Sequence, residues 1–300
     1  MQNGEIIRMD SVDDYNRFFG LDTEHPLVSV VDLSMATKWA ERARFGYGIY
    51  ALFLKDVRCG NIKYGRRDYD YQAGTIVSFA PGQVVDVELD QGSRPSSHGL
   101  LFHPDLIRGT ELGRAIKGYS FFSYKSNEAL HLSADERITI MGCLQKIADE
   151  LRRPSDRHSR RLIVANIGLL LDYCMRFYDR QFVTRTEADS DVLVRFEQIL
   201  DEYFDSDIPL REGLPTVRYL ADKVFLSPNY FSDMISRQTG HTASEHIRSK
   251  VIGLAKERLL SSDKTMSQIA YELGFQYPQH LSRMFKQVVG QTPNEYRKLG

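Results

Sequence analysis

The last ninety or so residues state one pattern twice. Leu220-Ala221, Pro228, Phe231-Ser232, Met234, Gly240 and Thr242 are answered by Ile269-Ala270, Pro278, Leu281-Ser282, Met284, Gly290 and Thr292. The offset is 49 residues in the first segment and 50 in the second, so the second copy holds one more residue in the turn between its helices. Two short helices joined by a tight turn bury too little to stand alone, and such a pair serves to hold one helix outward. A duplicated pair of this kind predicts sequence-specific DNA binding.

Charge agrees once the chain is divided. Residues 209–300 hold 13 Lys and Arg against 8 Asp and Glu, a net of +5, whereas the remainder holds 26 against 32, a net of −6. A basic C-terminal part beside an acidic N-terminal part suits a polyanion reader carried by a domain that does not touch the polyanion. The length of 300 residues favours two domains, and 42% hydrophobic with 26% charged residues is ordinary globular composition. Cys59, Cys143 and Cys174 are odd in number and far apart, against a disulfide framework or a zinc knuckle. Residues 1–10 lack a signal-like apolar run, and the apolar stretch Leu162 to Leu171 is too short to span a bilayer. The expectation is a soluble, cytoplasmic chain with no membrane partner.

From Leu27 to about Leu101, β-rich runs alternate with Gly and turn residues: 27–33, 49–54, 61–64, 75–79, 84–89 and 99–102. That spacing predicts a barrel or jelly roll. Ser133 with Glu136 reads as a capping box opening a helix that runs toward Pro154, and a second helix is expected from about Ser159 to Phe182. Its apolar residues cover more than one stripe, so it buries against a homodimer partner or is sandwiched within its own domain. A short helix follows at 192–204, and the Pro- and Gly-bearing stretch to Pro215 reads as the linker. The expected fold class is α+β multidomain: residues 1–185 a barrel with helices, 186–212 a helix and linker, and 213–300 an all-α unit with two helix-turn-helix motifs joined by a linker helix.

In the first copy Ser227 caps a helix that Pro228 opens. Phe231, Met234 and Ile235 turn inward, which leaves Asn229, Tyr230, Ser232, Asp233, Ser236 and Arg237 to face out. In the second copy Gly274 fits a left-handed turn position, Leu281 and Phe285 are buried, and Gln279, His280, Ser282, Arg283 and Lys286 point out. Gln and Arg pair with adenine and guanine edges, so Gln279 and Arg283 are the expected base readers, while Lys286 and Arg237 are expected on phosphate. The amphipathic stretch from Ser244 to Leu260 would hold the two readers about one DNA turn apart.

These residues closely resemble the AraC/XylS family of bacterial transcription regulators. Ile269 through Phe275, Leu281 through Lys286 and Gly290 through Arg297 match its C-terminal signature almost position for position, and the likeness covers about residues 214–299. The resemblance implies a two-reader DNA-binding domain behind a cupin-like N-terminal domain that often binds a small effector and dimerises. Two positions depart from the pattern: Asp233 stands where a basic residue is common, and Val251 where the linker helix usually carries Arg. An acid facing phosphates repels them, although it can accept from a cytosine amino group.

The implied cupin could also be an enzyme with an accessory DNA-binding domain. A cupin metal site wants clustered histidines, and residues 65–74 offer none, while His98 and His103 flank a strand as structural residues. No metal, cofactor or catalytic residue is therefore expected. Gly46 to Ala51 fits G-x-G-x-x-A, but it precedes a β-rich run, where no helix N-terminus can hold a pyrophosphate. Effector binding remains, with Trp39, Tyr47, Tyr50, Tyr71 and Phe79 as the aromatic candidates. The expected partners are an operator in double-stranded DNA, a small-molecule effector, a second copy of the chain, and RNA polymerase if transcription is activated.

Overall fold

The computed structural model describes residues 6–55, 60–63, 74–89, 93–124, 128–184 and 186–298, with backbone alone for 60–63, 183–184 and 186–191. The chain divides into two compact units, Met1–Gln181 and Phe182–Gly300. The N-terminal unit carries strands β1 (Ile6–Met9), β2 (Val28–Asp32), β3 (Arg42–Tyr47), β4 (Tyr50–Lys55), β5 (Gly60–Lys63), β6 (Thr75–Phe79), β7 (Val84–Leu89), β8 (Ser97–Phe102) and β9 (Leu130–His131). They form two sheets, ordered β1-β3-β7-β5 and β2-β8-β4-β6-β9. Strand β1 runs parallel to β3, and the other pairings are antiparallel.

Side chains alternate along each strand, so each sheet offers one face to a shared interior. Phe45, Tyr47 and Val85 from the first sheet meet Ala51, Phe53, Val77, Phe79 and Leu101 from the second in one buried cluster. Helix α1 (Val12–Phe19) adds Tyr15 and Phe19 to that cluster; a Ser11–Asp14 capping box starts it and left-handed Gly20 stops it. Each aromatic ring so buried contributes about 1.5–3 kcal/mol relative to an exposed one. Six strands fall on the expected runs. Strands β1, β3 and β9 do not, although in β3 Ala43, Phe45 and Tyr47 alternate with Arg42, Arg44 and Gly46, and its two arginines pair across to Glu88 and Asp86 of β7.

After the short helices α2 (Pro104–Ile107) and α3 (Glu111–Ala115) come α4 (Ala134–Leu151) and α5 (Ser159–Thr184). The Ser133–Glu136 capping box forms as expected. Arg180 on α5 binds the same Glu136 and the carbonyl of His131, and Gln181 bridges the backbone of Ala129 and His131. Helix α5 is therefore tied to β9 along its last turns. Ile163, Ile167, Leu170 and Cys174 bury one side of it, while Leu162 and Leu169 remain 46% and 40% exposed.

The C-terminal unit is helical: α6 (Thr186–Phe204), α7 (Ile208–Glu212), α8 (Val217–Lys223), α9 (Pro228–Thr239), α10 (Ala243–Ser261), α11 (Met266–Glu272), α12 (Pro278–Val289) and α13 (Pro293–Arg297). Two differences from the sequence reading stand out. The helix expected from Val192 begins at Thr186, and the stretch read as linker contains α7. Proline in a first turn starts a helix as readily as it breaks one, and Pro209 sits there in α7, which Gly213 ends with φ of 83°. The turn then packs tightly: a Cβ on Gly274 would stand 2.6 Å from the Gly213 carbonyl carbon and 3.0 Å from the Pro209 oxygen. Tyr203 on α6 donates its hydroxyl to the Gly213 carbonyl at 2.8 Å, and Phe196 on α6 meets Phe231 on α9 edge-on at 5.3 Å. Among the described residues, no helix is long and apolar enough to cross a membrane.

Candidate nucleic-acid interface

The helix pairs α8–α9 and α11–α12 are built alike. Thr216 caps α8 and Thr265 caps α11, each hydroxyl accepting from a backbone N–H three residues on. Leu220 and Ala221 in one pair, and Ile269 and Ala270 in the other, are fully buried against the following helix. Ser227 then caps α9 by accepting from the Tyr230 N–H, and proline opens both α9 and α12. Besides the extra residue in the second turn, Gly274 takes its left-handed position with φ of 90°, whereas Phe225 takes that position in the first with φ of 66°. Phe225 is also 57% exposed.

On α12 the expected readers Gln279, His280, Arg283 and Lys286 are all exposed. Ser282 is half-buried, and its hydroxyl donates back to the Pro278 carbonyl at 3.2 Å, which leaves its oxygen lone pairs for a ligand. On α9 Asn229 and Arg237 are exposed, and Ser232 and Asp233 are half-buried. Tyr230 departs from expectation. It is 3% exposed and packs its ring on Phe182 at 5.0 Å, so it does not face outward. Position 230 lies one helical turn before Met234, which is itself buried, and this shared stripe pulls Tyr230 inward.

One exposed side chain was absent from the expected set. Tyr277 precedes α12, is 54% exposed, gives no side-chain cap, and sets its ring against His280 at 5.5 Å. Counting back from the two prolines places Tyr277 opposite Ser227. A non-capping residue at a capping position is the signal that could have singled it out.

The connector α10 has 19 residues, a length of about 28 Å. Ile247, Val251, Ala255 and Leu259 are buried along it, so Val251 occupies a core position. The far end is held by Arg297, which donates to the carbonyls of Leu259 and Lys264, and by Tyr296, whose ring meets Phe285 edge-on at 5.4 Å. Thr292 and Glu295 form a capping box, as Thr242 and Glu245 do at the start of α10. Bonds from the Thr292 and Thr242 backbone N–H groups hold Glu295 and Glu245 below the usual carboxylate range.

The N-terminal unit has a cavity of about 70 Å³ between its sheets. Tyr47 and Phe79 line it, with their rings stacked at 5.2 Å. Tyr50 stacks instead on Phe102 at 4.9 Å, Trp39 lies under the Arg94 guanidinium, and neither is part of the lining. Tyr71 lies outside the described residues, as do residues 65–73, where cupin ligands were sought. His98 pairs with Asp32 across β2 and β8, and His103 caps α2 by accepting from the Asp105 N–H. Among the described residues, no group of three or more His, Cys, Asp or Glu could hold a metal.

A sheet-built unit is followed by a helical unit in which α9 and α12 leave polar residues exposed. The family described as helix-turn-helix domain matches residues 220–299. The chain is 30% identical over 143 residues to the transposon Tn10 TetD protein of Escherichia coli, covering 48% of this chain and 91% of that protein. It is 31% identical over 100 residues to the regulatory protein SoxS of Salmonella typhimurium, covering 33% and 91%. The uncharacterized HTH-type transcriptional regulator YijO of Escherichia coli is 24% identical over 231 residues, covering 75% and 76%. Two Bacillus subtilis relatives are matched over much less of their length, 12% of YtdP and 22% of YesN. Among solved structures, the C-terminal domain of AraT, a response regulator from Geobacillus stearothermophilus, is 26% identical with a TM-score of 0.33, covering 36% of this chain and 85% of that one. The chain belongs to the AraC/XylS family of transcriptional regulators, and it is a DNA-binding protein of that family.

Proposed function

We propose that both helix pairs are DNA readers, with α9 and α12 entering successive major grooves of one operator and α10 setting their separation. The observation that carries this is the exposed polar row on α12, with Gln279 and Arg283 one turn apart on a helix whose opposite side is buried through Leu281 and Phe285. Arg283 reads guanine, Gln279 reads adenine, and Lys286 and Arg237 lie on phosphates. Asn229, Ser232 and Asp233 form a less cationic surface on α9, so the second reader supplies more of the affinity. The N-terminal unit is a cupin-like barrel that binds a small effector through the cavity edged by Tyr47 and Phe79. The protein acts in the cytoplasm as a homodimer, and the exposed stripe of Leu162 and Leu169 on α5 is the partner face. It works without turnover, and where it activates transcription it meets RNA polymerase.

Mapping bound DNA across the genome supplies the operator, and binding to that site is then measured across a salt series. Arg283→Ala is expected to lose about 1–3 kcal/mol of discrimination at one base pair. Lys286→Ala is expected to weaken all sequences alike and to flatten the salt slope by about 1. If both variants bind the operator as the wild type does, α12 is not the reading helix.

A further inference from the structure

The ten residues from Arg152 to Arg161 hold five arginines and one aspartate, inside a stretch, residues 1–208, that is net −6 with 26 basic against 32 acidic side chains. They form the turn from α4 to α5 and the first residues of α5, and all five arginines are exposed. The turn is braced. Asp156 accepts from the backbone N–H groups of His158 and Ser159, and its own N–H donates to the Ser159 hydroxyl at 3.1 Å. Two of the arginines are matched by acids of α4, Arg152 by Asp149 and Arg153 by Glu150. The other three meet neutral groups. Arg157 donates through Nε to the His158 ring at 2.9 Å, and Arg160 donates to the carbonyls of Leu106 and Arg108. Arg161 has no hydrogen bond or ion pair among the described residues. The bond to the Arg108 carbonyl also sets the end of α2 beside α5, so a sixth arginine, itself paired with Asp105, borders the cluster.

Crowded like charges repel one another, and among the described residues no carboxylate pairs with Arg157, Arg160 or Arg161. Within those residues Arg157 keeps both terminal nitrogens, and Arg161 its whole guanidinium, for a ligand. A guanidinium fork gives two parallel N–H bonds to the oxygens of one phosphate. We propose that this arginine turn is a second contact with duplex DNA, holding phosphates outside the bases that the helix pairs read. Duplex DNA is the occupant because this chain is a DNA-binding protein, so the polyanion that complements the patch is already its ligand. One chain carries both units, and DNA held by the reader is therefore presented to the turn at high effective concentration. The net charge of residues 1–208 points to a unit that stays off the polyanion, but that average conceals a patch of ten residues.

Salt dependence of binding by the full chain tests this on two duplexes: the operator trimmed to the bases that the helix pairs cover, and the same operator extended by about two helical turns on each side. Each phosphate neutralised steepens the plot of log affinity against log salt by about 0.9. The wild type is expected to show a slope steeper by about 2 on the extended duplex. Arg157→Gln and Arg161→Gln are each expected to remove about 1 of that difference, and the double variant all of it. Binding to the trimmed operator should stay at the wild-type level, which also reports that the variants are folded. Equal wild-type slopes on the two duplexes would overturn the proposal. So would variants that keep the full wild-type difference, the result expected if the turn serves an acidic protein instead of DNA.

Discussion

At the scale of single residues, Phe225 is the most unusual. A non-glycine residue in the left-handed region costs about 1–2 kcal/mol, and the second copy avoids that cost by placing Gly274 at the matching turn position. Asn tolerates the conformation better than Phe. Phe225→Asn is therefore expected to stabilise the C-terminal unit by about 1 kcal/mol, a rise of a few degrees in its melting temperature. An unchanged or lower midpoint would mean that the exposed ring makes contacts worth as much as the strain. The residue scale is also where sequence reading was weakest. Tyr230 was legible as an inward residue from its spacing to Met234, yet its amphipathic side chain suits either face. Lys55 was legible from the alternation along β4, but a lysine is so seldom buried that pattern alone gives little reason to turn it inward.

At the scale of elements, the capping boxes offer a built-in comparison. Thr242 with Glu245 and Thr292 with Glu295 use carboxylates, whereas Thr265 with Gln268 does the same job with a neutral amide. Both glutamates have folded pKa values below their unfolded ones, so the unfolded chain binds more protons as acid is added. Their stabilising effect is complete above the unfolded value, about 4.3, and is lost as pH falls through the depressed folded value. The double variant Glu245→Gln, Glu295→Gln keeps both caps without their charge, and it is expected to be less stable than the wild type at neutral pH, with a difference that closes as pH falls below about 4.3. Coincident acid-unfolding curves would refute this. Elements with strong local chemistry, such as the Ser133 box before α4 and Ser227-Pro228 before α9, were readable in the sequence for that reason. Helix α7 was not, because Pro209 and Gly213 carry the same signal in a linker as at the two ends of a five-residue helix. The family signature from Gly290 to Arg297 turns out to be scaffold: it stops α12, caps α13 and ties that helix back to Leu259 and Lys264.

At the scale of the whole chain, two compact units predict separable behaviour. Operator DNA at about 100 times its dissociation constant is expected to stabilise the unit it binds by about 2.7 kcal/mol. In calorimetry the transition of the C-terminal unit should rise, and any accompanying movement of the N-terminal transition measures the coupling free energy that regulation requires. A thermogram unmoved by saturating operator would contradict the assignment of the reader. The pair of glycines at 213 and 274 has a practical consequence for anyone building chimeric regulators. Because the backbone before Val217 is pressed against the turn of the second helix pair, and α6 supports the first pair through Phe196, a fusion joint placed between 205 and 216 would sever part of the reader. A sensor transplanted from another protein has to be joined upstream of α6, so that the graft arrives with its own keystone.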